Sequence, residues 1–238
     1  MSEPMTLQPE KASLNQAGKK RLVVVVVYMM FTWVILFVAA GTWRWPGAWL
    51  FVGLQTAVFL TMGLWVARHN PGLINERGRK SDKTKGWDKV FALIYAPQLF
   101  LLPIVAGLDY RNGWTAVPLL WQIFGLIVLV PAMLLPYWAM YVNNFLVTTV
   151  RLQEERGQYA VTVGPYHYVR HPMYVGAILT MICTPLALGS WWALVPGGIG
   201  SLAMIVRTAL EDKTLQNELP GYAAYAQQTP CRLLPGVW

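Results

Sequence analysis

Four long apolar runs constrain the fold of this chain more than any other feature of its sequence. They are Leu22–Ala40, Ala48–Ala67, Val90–Leu108 and about Thr115–Tyr141. Each approaches the roughly 20 residues that an α-helix needs to cross about 30 Å of hydrocarbon. Lipid offers the backbone no hydrogen-bond partner, and the alternating pattern of barrel strands is absent, so we expect four transmembrane α-helices.

A fifth apolar region runs from Pro172 to about Thr208 and is interrupted at Leu188–Ser190, with the sequence Leu-Gly-Ser. Glycine and serine favour turns, so this region predicts two helices joined as a tight hairpin. The predicted fold class is therefore an all-α integral membrane protein with about six transmembrane helices, the last two forming the hairpin, and with a cytoplasmic cofactor pocket if the protein is an enzyme.

Basic residues are concentrated in alternate connections between these runs. They crowd the N-terminal tail, the loop at residues 68–89 and the segments on either side of the hairpin, whereas the other two connections hold only Arg44 and Arg111. Cytoplasmic loops are enriched in lysine and arginine, so we expect a multi-pass protein of the cell membrane with both termini in the cytoplasm. The net charge of +8 has the same cause. Without a basic patch on a polar domain it does not indicate nucleic acid as a partner.

The chain is therefore expected to have three parts. Residues 1–21 form a cytoplasmic tail, and residues 22–142 hold four transmembrane helices with the basic loop. Residues 143–238 contain a long polar segment, the hairpin at residues 172–208 and a cytoplasmic C-terminal tail. Chemistry is expected where the polar segments meet the cytoplasmic ends of the helices.

Several common site motifs are absent from the sequence. It contains no GxGxxG, P-loop, HExxH or GxSxG pattern. His167 and His171 are four residues apart, but Pro172 indicates that a helix starts there, so we expect no metal site. Cys183 and Cys231 are isolated, which argues against a disulfide framework.

The stretch GPYHYVRHPMYVG, Gly164–Gly176, gathers polar rings and a charge directly before an apolar helix. Pro172 favours the first position of a helix, which places His171 just outside it and Tyr174 in its first turn. A helix N-terminus attracts anions, so Arg170 and His171 suit the carboxylate of a ligand. The alternative is that these rings and charges only anchor the helix at the lipid headgroups. This stretch alone supports both interpretations equally.

Arg207 and Glu211 lie four residues apart near the end of the hairpin and share a helical face. Ionisable residues at membrane depth are costly and usually face a cavity or a partner. The alternative is a simple ion pair between the two at the membrane interface. A hairpin returns them to the side that carries His171 and Tyr174, which predicts a site built from both ends of the hairpin.

These two segments together resemble the isoprenylcysteine carboxyl methyltransferase and phospholipid methyltransferase superfamily. The superfamily pattern is GxYxxxRHPxYxG, then RxxxEE, then YxxY. The chain carries GPYHYVRHPMYVG, then RTALED and YAAY, and its loop RHNPGLINERG is similar to that of bacterial members. The resemblance covers residues 143–238. Asp212 departs from the pattern, because it stands where the second glutamate is expected.

The resemblance implies an enzyme that takes its methyl group from S-adenosylmethionine, bound on the cytoplasmic side. The implied cofactor-binding residues are Gln158, Tyr159, Ala160, Val161, Tyr166, His171, Pro172, Met173, Tyr174 and Glu211. Arg207 is the implied substrate-binding residue, and Arg207 and Glu211 are the implied catalytic residues. A further cofactor contact is expected near Arg151 or Gln153.

The residue types suit this chemistry. The faces of Tyr166 and Tyr174 can attract the cationic sulfonium, and Glu211 can accept hydrogen bonds from the cofactor's amine or ribose hydroxyls. A carboxylate acceptor is ionised at neutral pH and needs no general base, and the planar fork of Arg207 matches it. We therefore expect carboxyl O-methylation of an isoprenylcysteine-like, lipophilic substrate that enters from the bilayer.

Two other functions remain open at this stage. The first is N-methylation of a phospholipid headgroup. The second is an NADPH-dependent membrane reductase of the sterol-reductase type, for which the only candidate phosphate-binding cluster is Arg151, Arg156 and Arg170. The sequence does not determine the methyl acceptor or the oligomeric state.

Overall fold

The computed structural model describes residues 13–79 and 84–238, and all regular secondary structure in these ranges is helical. The helices are α1 (Gln16–Ala40), α2 (Pro46–Val58), α3 (Leu64–His69), α4 (Pro71–Gly78), α5 (Gly86–Asn112), α6 (Leu119–Val142), α7 (Pro172–Ala187), α8 (Leu194–Glu218) and α9 (Tyr222–Gln228). A π-helical turn, Phe59–Gly63, joins α2 to α3. Most of the predicted N-terminal tail and residues 80–83 of the basic loop lie outside the described residues.

Five helices in the described ranges are long and apolar enough to cross a membrane. They are α1, the continuous helix Pro46–His69, α5, α6 and α8. Together they contain the first three apolar runs, most of the fourth and the second half of the hairpin, so the expectation of an all-helical, multi-pass membrane protein is confirmed for this part of the chain. The fourth run was expected to start at about Thr115, whereas α6 begins at Leu119. Helix α7 is apolar but has only 16 residues, fewer than the roughly 20 of a full crossing. Six crossings therefore stay a prediction.

The predicted hairpin is present and is attached to its neighbours by a buried carboxylate. The turn between α7 and α8 contains Gly189 with a φ of 75°, a left-handed conformation that favours glycine. Ser190 Oγ in this turn donates to Asp109 Oδ2 at 2.5 Å, and Thr115 donates to Asp109 through N at 2.8 Å and Oγ1 at 2.6 Å. Asp109 is 1% exposed, so these bonds replace the water that its carboxylate has lost.

Helix α7 packs closely against α6 on one side and α8 on the other. A Cβ atom at Gly176 would lie 2.6 Å from Ala132 O on α6, and one at Gly197 would lie 2.4 Å from Met181 O on α7. Small residues permit such close backbone approach, which is how membrane helices gain packing energy without a hydrophobic driving force. Helix α5 packs on α1 and on α8. This arrangement places the start of α5 beside the end of α8.

We expect Gly197→Ala to lower the melting temperature of the detergent-purified protein. The added methyl group must push α8 away from α7, and overpacking of this kind costs about 1–3 kcal/mol. Gly198→Ala is the matched control, because nothing lies within 4 Å of a Cβ atom there and alanine favours a helix over glycine by about 1 kcal/mol. Thermal unfolding of both variants measures the difference. Equal melting temperatures would show that the close α7–α8 contact does not limit stability.

Candidate active site

The two ends of the hairpin meet at the first turn of α7, as the sequence predicts. His171 precedes α7 directly and Pro172 is its first residue. Tyr174 Oη donates to Glu211 Oε2 at 2.5 Å, which joins α7 to α8. The rings of His171 and Tyr174 stack with 5.6 Å between their centroids. These contacts bring the two halves of the sequence motif into one place.

A cavity of about 830 Å³, part of it open to solvent, lies at this junction. Every residue that the sequence analysis assigned to the cofactor or the acceptor lies in its wall: Gln158, Tyr159, Ala160, Val161, Tyr166, His171, Pro172, Met173, Tyr174, Arg207 and Glu211. The cavity therefore unites three segments that are separated in sequence.

The segment at residues 143–161 forms one wall of the cavity and is held from behind by Gln153. This side chain is fully buried, and its Nε2 donates to Phe145 O at 2.7 Å. Its backbone N–H donates to Gln158 Oε1, also at 2.7 Å. Of the two candidates for an upstream cofactor contact, Arg151 lines the cavity, whereas Gln153 supports the wall.

The three arginines considered as a phosphate-binding cluster already have protein partners. Arg151 pairs with Glu76 at 3.1 Å, and Arg156 Nη1 donates to Gln153 Oε1 at 2.5 Å. Arg170 is bound within a buried network. Because these guanidinium groups satisfy protein acceptors, they do not form an open phosphate site.

Asp212 is the centre of that buried network and is fully buried itself. Its carboxylate accepts hydrogen bonds from Arg170 Nε at 2.7 Å, Arg170 Nη2 at 2.9 Å and Arg232 Nε at 2.8 Å. It also accepts from Tyr222 Oη at 3.0 Å and lies 3.3 Å from His171 Nε2. A buried charge is costly unless it is paired and hydrogen-bonded. The residue that departs from the family pattern therefore organises the surroundings of the cavity.

All three guanidinium nitrogens of Arg170 donate hydrogen bonds within this network. Its Nη1 donates to the carbonyl oxygens of Thr229 at 2.8 Å and Pro230 at 2.7 Å. Burial disfavours the charged guanidinium, but the hydrogen bonds and charge of Asp212 outweigh that effect and raise the pKa of Arg170. The expectation that Arg170 receives a ligand carboxylate is therefore corrected, because its guanidinium holds the C-terminal tail.

The C-terminal tail also pairs with the residues just before α7. The backbone N–H groups of Arg170 and His171 donate to Cys231 O and Arg232 O, each at 3.0 Å. These bonds bring α9 against the cavity. The sequence analysis did not predict this role of Asp212. The only signal was that Asp212 directly follows Glu211 in the chain and so projects from a different face of α8.

Arg207 does not pair with Glu211, although the two share a helical face. Its Nε donates to Asp88 Oδ1 at 2.9 Å, and its Nη2 donates to Thr148 O at 3.1 Å. The guanidinium lies 5.2 Å from the centroid of the Tyr174 ring. In the described part of the chain Nη1 has no hydrogen-bond partner, and Arg207 lines the cavity. Among the described residues Arg207 and Glu211 make no direct ion pair, although their charges still interact electrostatically.

Tyrosine rings form much of the remaining wall. Asn143 Nδ2 donates to Tyr166 Oη at 3.0 Å, and Tyr225 Oη donates to Tyr166 O at 2.7 Å. Burial raises the pKa of Tyr166, Tyr222 and Tyr225 above the usual phenol value, so the three phenols are neutral at physiological pH. The wall therefore offers neutral ring faces to a bound molecule.

His167 and Tyr168 are exposed at the 3-10 turn before α7 and do not line the cavity. Within residues 13–79 and 84–238 no three His, Cys, Asp or Glu side chains are grouped to hold a metal ion. Cys183 and Cys231 are both unpaired thiols. None of these four residues contributes to the candidate site.

A second cavity, of about 760 Å³, lies between α1, α2, α5 and α7 and is lined mainly by apolar side chains. It begins at Ala177, one helical turn beyond Tyr174, and includes Tyr95. Tyr95 stacks on Phe91 with 5.0 Å between centroids, and the Arg207 guanidinium lies 4.6 Å from the Phe91 ring centroid. The rings of Phe91 and Tyr95 therefore lie between this apolar cavity and Arg207 in the polar one.

The helices and the polar cavity at the hairpin define an integral membrane protein with a site at the ends of its helices. Residues 120–219 match the family model described as phospholipid methyltransferase. This region contains α6, the wall segment, α7 and α8. The resemblance read from the sequence is thus confirmed for this region, which is similar to the superfamily of isoprenylcysteine carboxyl and phospholipid methyltransferases. No curated protein was found to match the chain.

We expect Asp212→Ala to destabilise the protein by about 3–5 kcal/mol, the usual cost of removing one partner from a buried ion pair. Arg170 would then stay buried without its counter-ion. Glu218→Gln is the control on the same helix, because Glu218 pairs with Lys85 at 2.8 Å with both side chains partly exposed, and such pairs contribute less than about 1 kcal/mol. Denaturant unfolding compares the two. A small loss in Asp212→Ala would contradict a central role for this carboxylate.

Proposed function

We propose that the protein is an S-adenosylmethionine-dependent membrane methyltransferase that acts on a lipophilic acceptor. The observation that carries the proposal is the convergence of all eleven inferred residues on one cavity, in a region that matches a methyltransferase family. The reductase alternative has no such support, and its candidate phosphate ligands are engaged by protein partners.

The residues of the cavity fit this cofactor by charge and by shape. Neutral faces of Tyr166 and Tyr174 suit a sulfonium cation. Glu211 is bonded only to a phenol in the described structure, so its carboxylate can accept from the cofactor's amine or ribose hydroxyls. When bound, S-adenosylmethionine would supply an electrophilic methyl group, and the electron pair of the broken carbon–sulfur bond would stay on sulfur.

The proposed acceptor is a carboxylate, as in an isoprenylcysteine-like substrate. Such a group is ionised at neutral pH, so no residue has to remove a proton before the attack. Arg207 is proposed to hold it through Nη1, because its other nitrogen groups are bonded to Asp88 and Thr148. Catalysis would then come from alignment of the two reactants and exclusion of water.

The apolar part of the acceptor is proposed to approach through the bilayer-embedded region. The second cavity begins one turn from Tyr174 and is connected to Arg207 through Phe91 and Tyr95. A lipophilic chain in that cavity would leave its polar end beside the guanidinium. The proposal also includes six membrane crossings with both termini in the cytoplasm. This topology would place the polar cavity at the cytoplasmic surface.

Phospholipid headgroup N-methylation is the second candidate, and the family match favours it. An amine acceptor must lose a proton before it attacks, and Glu211 is the carboxylate in the cavity that is placed to receive it. Arg207 would then bind the phosphate of the headgroup. The same site therefore accommodates both candidates, which differ in the chemistry of the product.

We expect S-adenosylhomocysteine to raise the melting temperature of the detergent-purified protein, because a ligand that binds only the native state stabilises it by about 2.7 kcal/mol at a hundredfold excess over Kd. His171→Ala and Glu211→Ala should abolish this shift, since both remove contacts to the cofactor. Arg207→Met should keep the shift and lose turnover, because Arg207 serves the acceptor.

NADPH is the control ligand for this experiment and should produce no shift. Each variant is first scanned without ligand, so that a loss of folding is separated from a loss of binding. No stabilisation of the unsubstituted protein by S-adenosylhomocysteine would overturn the cofactor assignment. Full activity in Arg207→Met would overturn the role of Arg207.

The bond formed by the transferred methyl group distinguishes the two acceptors. We expect lipid extract incubated with methyl-labelled S-adenosylmethionine to yield a labelled methyl ester, from which alkali releases volatile labelled methanol. An N-methylated headgroup would keep its label in a non-volatile product after the same treatment, because alkali does not cleave the bond between nitrogen and the methyl group. Glu211→Ala protein is the blank for both measurements. If the label is not released as methanol, carboxyl methylation is overturned and phospholipid N-methylation is supported.

A further inference from the structure

Asp88 lies where three parts of the candidate site meet, although it stands outside the region that matches the family. It is 4% exposed and belongs to the first turn of α5. Its Oδ1 accepts from Arg207 Nε on α8 at 2.9 Å. Its Oδ2 accepts from the backbone N–H of Val150, in the cavity wall, at 2.9 Å. Both carboxylate oxygens of Asp88 are therefore hydrogen-bonded, one to Val150 in the cavity wall and the other to Arg207.

The pairing of Arg207 with Asp88 affects which hydrogen-bond partners Glu211 has. Arg207 and Glu211 have the i, i+4 spacing at which opposite charges on a helix normally pair. In the structure Arg207 is drawn instead towards α5 by Asp88, and a further bond to Thr148 O at 3.1 Å holds it there. Glu211 is left with the Tyr174 hydroxyl, a neutral partner.

This separation matters because the two side chains face one cavity. A carboxylate that is already paired with a guanidinium would have little remaining capacity to bind a cationic cofactor. A guanidinium paired with Glu211 would likewise be less available to an acceptor anion. Asp88, which is not among the residues that line the cavity, supplies a second carboxylate that binds Arg207.

We infer that Asp88 is a positioning residue that keeps Arg207 from pairing with Glu211, so that Glu211 serves the cofactor and Arg207 serves the acceptor. The inference rests on the proposed function. Asp88 touches neither ligand in this scheme and acts entirely through Arg207. Its effect on cofactor binding should therefore disappear when Arg207 is no longer a cation.

Calorimetric titration of S-adenosylhomocysteine into detergent-purified protein tests this directly and needs no methyl acceptor. We expect Asp88→Asn to weaken binding about tenfold, the order of one charge-assisted contact, because its amide no longer attracts Arg207, which then pairs with Glu211. The asparagine oxygen can still accept from the Val150 N–H. Arg207→Met should bind as the unsubstituted protein does.

The decisive protein is the double variant Asp88→Asn with Arg207→Met. We expect it to regain the affinity of the unsubstituted protein, because no guanidinium remains to occupy Glu211. If Asp88 only supported the wall at Val150, the double variant would stay as weak as Asp88→Asn. Such non-additivity is the measure of a direct coupling between neighbouring residues.

Two further variants control for folding. Lys85→Met removes a partly exposed pair that joins the same helices, α5 and α8, through Glu218, and should leave affinity unchanged. Asp88→Glu keeps the charge beside Arg207 but shifts the bond to Val150. Its affinity for S-adenosylhomocysteine should therefore lie within about threefold of that of the unsubstituted protein. This variant replaces Asp88→Asn in the test if Asp88→Asn does not fold. Weak binding by Asp88→Glu would overturn the inference.

The outcomes separate the inference from the function on which it rests. No binding by the unsubstituted protein would overturn the proposed function itself. Binding by the unsubstituted protein, with Asp88→Asn equally tight or with the double variant still weak, would leave the proposed function standing and overturn the role of Asp88.

Discussion

The buried carboxylate of Asp212 is the interaction on which the rest of the site depends. A charge at a fully buried position is tolerated only where donors surround it, and Arg170, Arg232 and Tyr222 supply them. These donors come from the start of α7, the C-terminal tail and α9. Satisfying one carboxylate therefore holds these three segments together beside the cavity.

A second carboxylate, Asp88, plays the equivalent part for Arg207. Arg170 is bound to Asp212 and to carbonyl oxygens of the C-terminal tail. Arg207 is bound to Asp88 and Thr148, and it also lines the cavity. Glu211 and Arg207 thus line the same cavity without a direct hydrogen bond between them.

The membrane helices were predictable from the sequence because lipid imposes a simple requirement. A run of about 20 apolar residues without charge has few alternatives to a membrane-crossing helix. The hairpin was predictable for a related reason, since its turn carries Gly189. The short length of α7 was less clear, because apolar residues continue through the turn and hide the end of the helix.

The sequence by itself determined the helical membrane class and the hairpin, since these follow from apolar length, and its resemblance to a family supplied eleven of the residues that line the cavity. Only the tertiary structure decided how the charges pair. Arg207 bonds to Asp88, 119 residues away, rather than to Glu211 four residues away, and Arg170 bonds to Asp212 rather than to a ligand. Pairing depends on which helices pack together, and that information is not carried by spacing along the chain.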